Sequence, residues 1–228
     1  MLEAGCGTGA QTVIVAPQNT QCDFISIDIA EDSLAKAEES VRQMRIRNVR
    51  FQVADVFNLP FDEESFDHVF VCFLLEHLRD PVGALVSLKK VLKKGGTITV
   101  IEGDHGSAYY HPRSQPAQAT IQCLIDVQTA MGGNSLIGRE LYPLLIAAGF
   151  DGVSVSPRIV YADASRPELV DGFTRKTFIA MVEGVREQAV HRRLITRAAW
   201  DRGIKELYRS AESDGTFCYT FFKAVGKK

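Results

Sequence analysis

The chain has 228 residues, 46% of them hydrophobic and 24% charged, with a formal net charge of -2. That is enough apolar material to bury a core of ordinary size in one domain. It carries too little positive charge to hold nucleic acid or an anionic membrane surface, so a small-molecule ligand is favoured. No apolar run approaches the roughly 18 residues that span a bilayer, and no basic segment leads into an apolar one at the N-terminus, so a cytoplasmic protein without a membrane span is expected.

The opening "MLEAGCGTGAQ" places Gly5, Gly7 and Gly9 where a strand would turn sharply into a helix and a ligand could lie against backbone that lacks Cβ atoms. Apolar runs rich in β-branched residues follow: 22–28, 49–55, 66–73 and 96–104. Most are almost continuously apolar, the pattern of parallel strands covered on both faces. Helical patterns separate them at 30–44 and 81–92; the second starts at an Asp80-Pro81 cap and is expected to stop at Gly95-Gly96. Alternating strands and helices predict an α/β fold with a doubly wound parallel sheet.

After Asp104 the rhythm changes to a polar, aromatic loop, 105–116. Helices are expected around 117–131 and 138–148, a strand at 151–162, a long helical stretch at about 166–211, and a final strand at 216–226. The five cysteines, Cys6, Cys22, Cys72, Cys123 and Cys218, form no C-x-x-C pair, and the five histidines are scattered. Reduced thiols and no metal site are expected.

Read alone, the glycines are ambiguous. Gly5-x-Gly7-x-x-Ala10, with Asp28 at the right distance for a ribose, also satisfies a relaxed dinucleotide fingerprint. Glu3 separates the readings: a carboxylate beside the loop would repel a pyrophosphate, whereas it would favour a sulfonium and an ammonium.

The segment "LEAGCGTG" resembles the first motif of class I S-adenosylmethionine-dependent methyltransferases, and the later segments follow in that family's order over roughly residues 2 to 104. The resemblance is nearest to the small-molecule branch, typified by quinone and natural-product methyltransferases. It implies a Rossmann-like, mostly parallel sheet with an antiparallel last strand and, here, a helical insertion near the C-terminus. One methyltransferase domain would cover 1–228: a cofactor-binding half (1–104), a substrate-side region (105–165), a helical insertion or lid (166–211) and the final strand (212–228). The family's first strand is longer ahead of the glutamate than Met1-Leu2, so this strand is expected to be unusually short or the chain to lack upstream residues.

The implied cofactor is S-adenosyl-L-methionine. Its site would comprise Glu3, Gly5, Gly7, Gly9 and Ile29, with Asp28 at the ribose hydroxyls, Asp55 and the Val56 amide at the adenine, and Cys72-Phe73 under the methionine part. Asp28 and Asp55 could equally be turn caps after strands, and Cys72 and Phe73 strand core. The activity implied is in-line methyl transfer to an O, N or C atom of a small molecule, which requires alignment and, for a hydroxyl or thiol, removal of a proton. His105 is the first candidate for that base and Tyr109 a candidate contact to the acceptor; His77 is not expected to act. A cofactor-binding protein without transfer, and an NAD(P)-dependent oxidoreductase, are the alternatives.

Overall fold

A computed structural model describes all 228 residues. In chain order the elements begin with β1 (Leu2–Ala4), α1 (Thr12–Gln18), β2 (Phe24–Asp28), α2 (Glu31–Gln43), β3 (Val49–Val53) and β4 (Phe66–Cys72). They continue with α3 (Pro81–Val91), β5 (Leu92–Gly103), β6 (Tyr109–His111), α4 (Gln115–Ala130), α5 (Leu141–Ala147) and β7 (Asp151–Asp163). Short helices α6 (Pro167–Leu169), α7 (Ala180–Glu183) and α8 (Arg186–His191) precede α9 (Arg197–Arg209) and β8 (Thr216–Lys227).

The chain forms two compact units. The first comprises Met1–Glu102, Arg139–Ser156 and Phe222–Lys228. Its strands run in the order β3-β2-β1-β4-β5, followed by β8. All pairings among β1 to β5 are parallel. The central strands are covered on both faces: Leu2, Val69, Val71, Ile98 and Val100 are fully buried, which is why their sequences alternate so little. Helix α2 turns Leu34, Ala37 and Val41 inward at positions i, i+3 and i+7 and leaves its charged residues outside.

Helix α3 starts as expected, with Pro81 in its first turn and the Asp80 carboxylate accepting from the Gly83 amide. It ends earlier than the glycine pair suggested. Leu92 is already extended, and Gly95 and Gly96 lie within β5, where they exchange backbone hydrogen bonds with Lys228. The glycines serve a strand: a Cβ on Gly96 would sit 2.9 Å from the Lys93 carbonyl oxygen.

The second unit comprises Gly103–Gly138 and Pro157–Phe221. Here β6 pairs antiparallel with the start of β8, with Tyr110 opposite Phe217, so the expected antiparallel last strand is present. Trp200, Phe178, Leu207, Phe217 and Tyr219 pack with Ile121 and Leu124 of α4. Helices α4 and α9 approach closely at Gly203, where a Cβ would lie 2.5 Å from the Pro116 carbonyl oxygen. The long helix expected over 166–211 is broken. Val170–Ile179 is a π-helical run, α7 stops at Gly184, and Arg193 takes the left-handed conformation (φ 59°) between α8 and α9.

Candidate functional site

The order β3-β2-β1-β4-β5 reverses direction between β1 and β4, so the loops leaving the two strands diverge and open a crevice at their carboxyl ends. Register aligns those ends: Ala4 lies beside Ile27 and Val71, and Asp28 beside Val53. The glycine loop, Asp28-Ile29, Ala54–Val56 and the residues after Cys72 therefore emerge along one edge of the first unit.

A cavity of about 300 Å³ lies there, at the small end of the range for small-molecule sites. Gly5, Asp28, Ile29, Asp55 and Val56 line it, joined by Ile27, Ala54, Phe57, Leu74 and Leu78. Ile29 and Phe57 are 71% and 46% exposed, large apolar side chains left open beside two carboxylates. No lysine or arginine lines the cavity, so a pyrophosphate would find no countercharge there.

The two aspartates combine the roles weighed from sequence. Asp28 accepts the Gly7 amide at Oδ2 (2.8 Å) and the Ala30 amide at Oδ1 (3.0 Å). A carboxylate offers about four acceptor positions. Two therefore remain, the number that the two hydroxyls of a ribose require. Asp55 accepts the Phe57 amide at Oδ1 (2.9 Å) and bridges to Asn58 in a tight turn. In both cases capping the chain also fixes the carboxylate at the cavity.

The three glycines do different work. A Cβ on Gly5 (φ 72°) would meet the Leu74 side chain at 2.8 Å, and one on Gly9 (φ 81°) would meet Ala37 at 2.9 Å. Gly7 (φ 54°) has nothing within 4 Å of the Cβ position, so its α-carbon faces open space. The amides of Gly5 and Cys6 both donate to the Ile27 carbonyl oxygen, which ties the loop to β2.

Glu3 is buried in β1, where its Oε2 accepts the hydroxyls of Ser26 (2.6 Å) and Thr12 (2.8 Å). Burial pushes its carboxyl above the ordinary range, against the pull of those two hydrogen bonds. Glu3 joins β1, β2 and α1 beneath the loop and is not among the residues lining the cavity; neither are Gly7, Gly9, Cys72 and Phe73. The Cys72 thiol is pushed up to about 12 by burial and then by nearby carboxylates, so it stays protonated at neutral pH. Phe73 takes a left-handed conformation (φ 56°) with its amide on the Ile101 carbonyl oxygen.

That left-handed residue hid part of the site from sequence reasoning. "CFLLEHL" reads as an apolar strand end running into a helix. The chain turns sharply at Phe73, a 3₁₀ turn follows at Leu75–His77, and Leu74 and Leu78 become cavity wall. The available signal was a charge in an apolar strand: Glu102 in "TITVIEG" is fully buried and accepts the amides of Leu74 (3.0 Å) and Leu75 (2.7 Å) at Oε1.

The candidate acceptor-side residues belong to the second unit. His105 is buried, with Nδ1 2.6 Å from the Tyr219 hydroxyl, and Tyr109 is 70% exposed on β6.

Comparison with known proteins agrees with this geometry. The family described as "Methyltransferase domain" matches residues 1–149. An uncharacterized methyltransferase of Schizosaccharomyces pombe is 30% identical over all of this chain and 84% of its own length. Demethylmenaquinone methyltransferase of Staphylococcus carnosus is 32% identical over 44% of this chain and 42% of its own length. Among solved structures, the Haemonchus contortus phosphoethanolamine N-methyltransferase 2 complex with S-adenosyl-L-methionine has a TM-score of 0.58 at 19% identity, covering all of this chain and 48% of that one. The family match spans the glycine loop, Asp28, Asp55 and all five parallel strands, and the chain belongs to the methyltransferase-domain family as a class I S-adenosylmethionine-dependent methyltransferase.

Proposed function

We propose that this protein binds S-adenosylmethionine in the 300 Å³ cavity of its first unit and methylates an oxygen, nitrogen or carbon of a small molecule. The carrying observation is the pairing of two strand-end carboxylates with apolar walls and no basic residue in one crevice. This matches a cofactor that is cationic at its methionine end, diol-bearing in the middle and flat at the adenine. When bound, that cofactor supplies a methyl group already activated by the sulfonium.

In this reading the free acceptor positions of Asp28 hold the ribose hydroxyls, and Asp55 with the Val56 amide faces the adenine edge. Ile29 and Phe57 cover the ring, and Gly7 leaves its exposed face for ligand contact. Glu3 acts beneath the loop by holding α1 and β2 in place. Cys72 and Phe73 contribute backbone at the methionine end. Residues 1–104 form the cofactor half of one methyltransferase domain, 105–165 its substrate side and 212–228 its last strand. The 166–211 insertion bears acceptor selectivity, since it lies outside the family match at 1–149. His105, buried with Nδ1 2.6 Å from the Tyr219 hydroxyl, is the candidate base, and Tyr109 is the exposed aromatic for an acceptor. No helix is long and apolar enough to cross a membrane, and the five cysteines are unpaired, which supports a cytoplasmic setting.

The test is calorimetric titration of S-adenosylhomocysteine into the full chain. Binding near micromolar affinity is expected, and Asp28→Ala should weaken it at least tenfold, about 1.4 kcal/mol. A folded protein that gives no heat with this ligand, or that binds NAD in its place, overturns the proposal.

A further inference from the structure

We infer that Glu102 is a positioning residue for the cofactor cavity: its side chain, by accepting the Leu74 and Leu75 amides, holds the 73–78 turn so that Leu74 and Leu78 form a cavity wall against Gly5. This inference rests on the cofactor reading above and adds a residue that does not itself line the cavity.

Phe73, directly after β4, takes a left-handed conformation, which for a bulky residue persists only when neighbouring contacts enforce it. The Phe73 amide is held by Ile101, and the next two amides by Glu102, so consecutive residues of β5 fasten consecutive residues of the turn. The Leu74 side chain then lies where a Cβ on Gly5 would clash, at 2.8 Å from Cδ1. The position of the glycine loop and that of the turn are thereby coupled.

The chemistry of Glu102 suits a fixed acceptor. It is fully buried, and burial, followed by the neighbouring Glu76 carboxyl, pushes its pKa to about 8. At neutral pH it is chiefly a neutral acid, and its carbonyl oxygen has two lone pairs, enough for the two amides that meet at Oε1. The groups that face it are the Glu76 carboxyl, the Cys72 thiol and the amides of Leu74, Leu75 and Glu76. A neutral acceptor beside Glu76 avoids placing two buried negative charges together.

Three variants of the full chain distinguish this role from general support. Glu102→Gln keeps an uncharged carbonyl at the same reach. Glu102→Asp retracts the acceptor by one methylene and serves if Glu102→Leu, which abolishes it, does not fold. Amide hydrogen exchange without ligand reads the turn, and calorimetry with S-adenosylhomocysteine reads the cavity. The inference expects faster exchange at Leu74 and Leu75 in the Asp and Leu variants, affinity at least tenfold weaker in the same variants, and recovery of both to within about threefold by Gln. Unchanged affinity in a folded Asp or Leu variant overturns the inference while leaving the cofactor reading intact, and so does a Gln variant as weak as Asp. A wild-type chain that binds no S-adenosylhomocysteine, while the turn exchange still responds to Glu102, overturns the cofactor reading instead, and with it the cofactor role of Glu102.

Discussion

Gly7 and Gly9 stand two residues apart in one loop, yet alanine at each should produce opposite phenotypes. Both adopt a left-handed φ, 54° and 81°, so either substitution carries about 1–2 kcal/mol of backbone strain. At Gly9 the new methyl would also lie 2.9 Å from the Ala37 Cβ and 3.0 Å from its α-carbon, part of the backbone of α2. Backbone cannot rotate away, so an overpacking cost of about 1–3 kcal/mol adds to the strain, for a total of about 2–5 kcal/mol. That is a large part of the 5–15 kcal/mol typical of a folded domain. At Gly7 nothing lies within 4 Å, and only the strain applies. A methyl there would enter the open space that the proposed site leaves for ligand contact. Urea unfolding should therefore show Gly9→Ala as severely destabilised and Gly7→Ala as mildly so. Calorimetry with S-adenosylhomocysteine should show Gly7→Ala weakened at least tenfold, about 1.4 kcal/mol. A Gly7→Ala protein that binds as tightly as the parent would refute the placement of ligand over that residue. A Gly9→Ala protein of parental stability would refute the close packing of the loop on α2.

Two further outcomes test other parts of the structure. Glu102 has a folded-state pKa of about 8 against 4.5 unfolded, so between these values the native state binds more protons and stability falls as pH rises. Relative to Glu102→Gln, the parent should lose stability progressively from about pH 4.5 to 8, read as urea midpoints of the two proteins at pH 5 and 8; a constant difference between them would contradict a protonated Glu102. Gly203→Ala lies within α9, where alanine ordinarily stabilises by about 1 kcal/mol. Contacts at 2.5 Å to the Pro116 carbonyl oxygen and the Thr120 methyl reverse the sign, and a net loss of about 1–2 kcal/mol is expected in thermal or urea unfolding.

Local chemistry made the first half of the chain legible. Continuous apolar runs identified β2, β4 and β5, the Asp80-Pro81 pair marked the start of α3, and the glycine loop with Asp28 and Asp55 pointed to one ligand crevice. Each of these signals depends on residues near one another in sequence, where steric limits and capping act directly. The very short β1 is a strand because β2 and β4 pair with it on both sides. The π-helical run and the breaks near Gly184 and Arg193 were hidden inside what reads as continuous helix, since helix-like spacing does not show where a turn widens or ends.

The sequence by itself determined the family, the parallel alternation and the carboxylates at two strand ends, because these reside in motifs whose spacing the backbone must respect. Tertiary structure decided which groups line the cavity and which hold the scaffold. Glu3, an acid next to the loop in sequence, is turned beneath it and bound by Ser26 and Thr12, while Leu74 and Leu78 are brought to the cavity by one left-handed residue. Glu102 lies 97 positions from Gly5 along the chain, yet it holds the turn whose Leu74 packs on that glycine. Sequence periodicity assigns a side chain to a face of its own element, whereas its partner depends on strand order and register, which arise only when distant segments pack together.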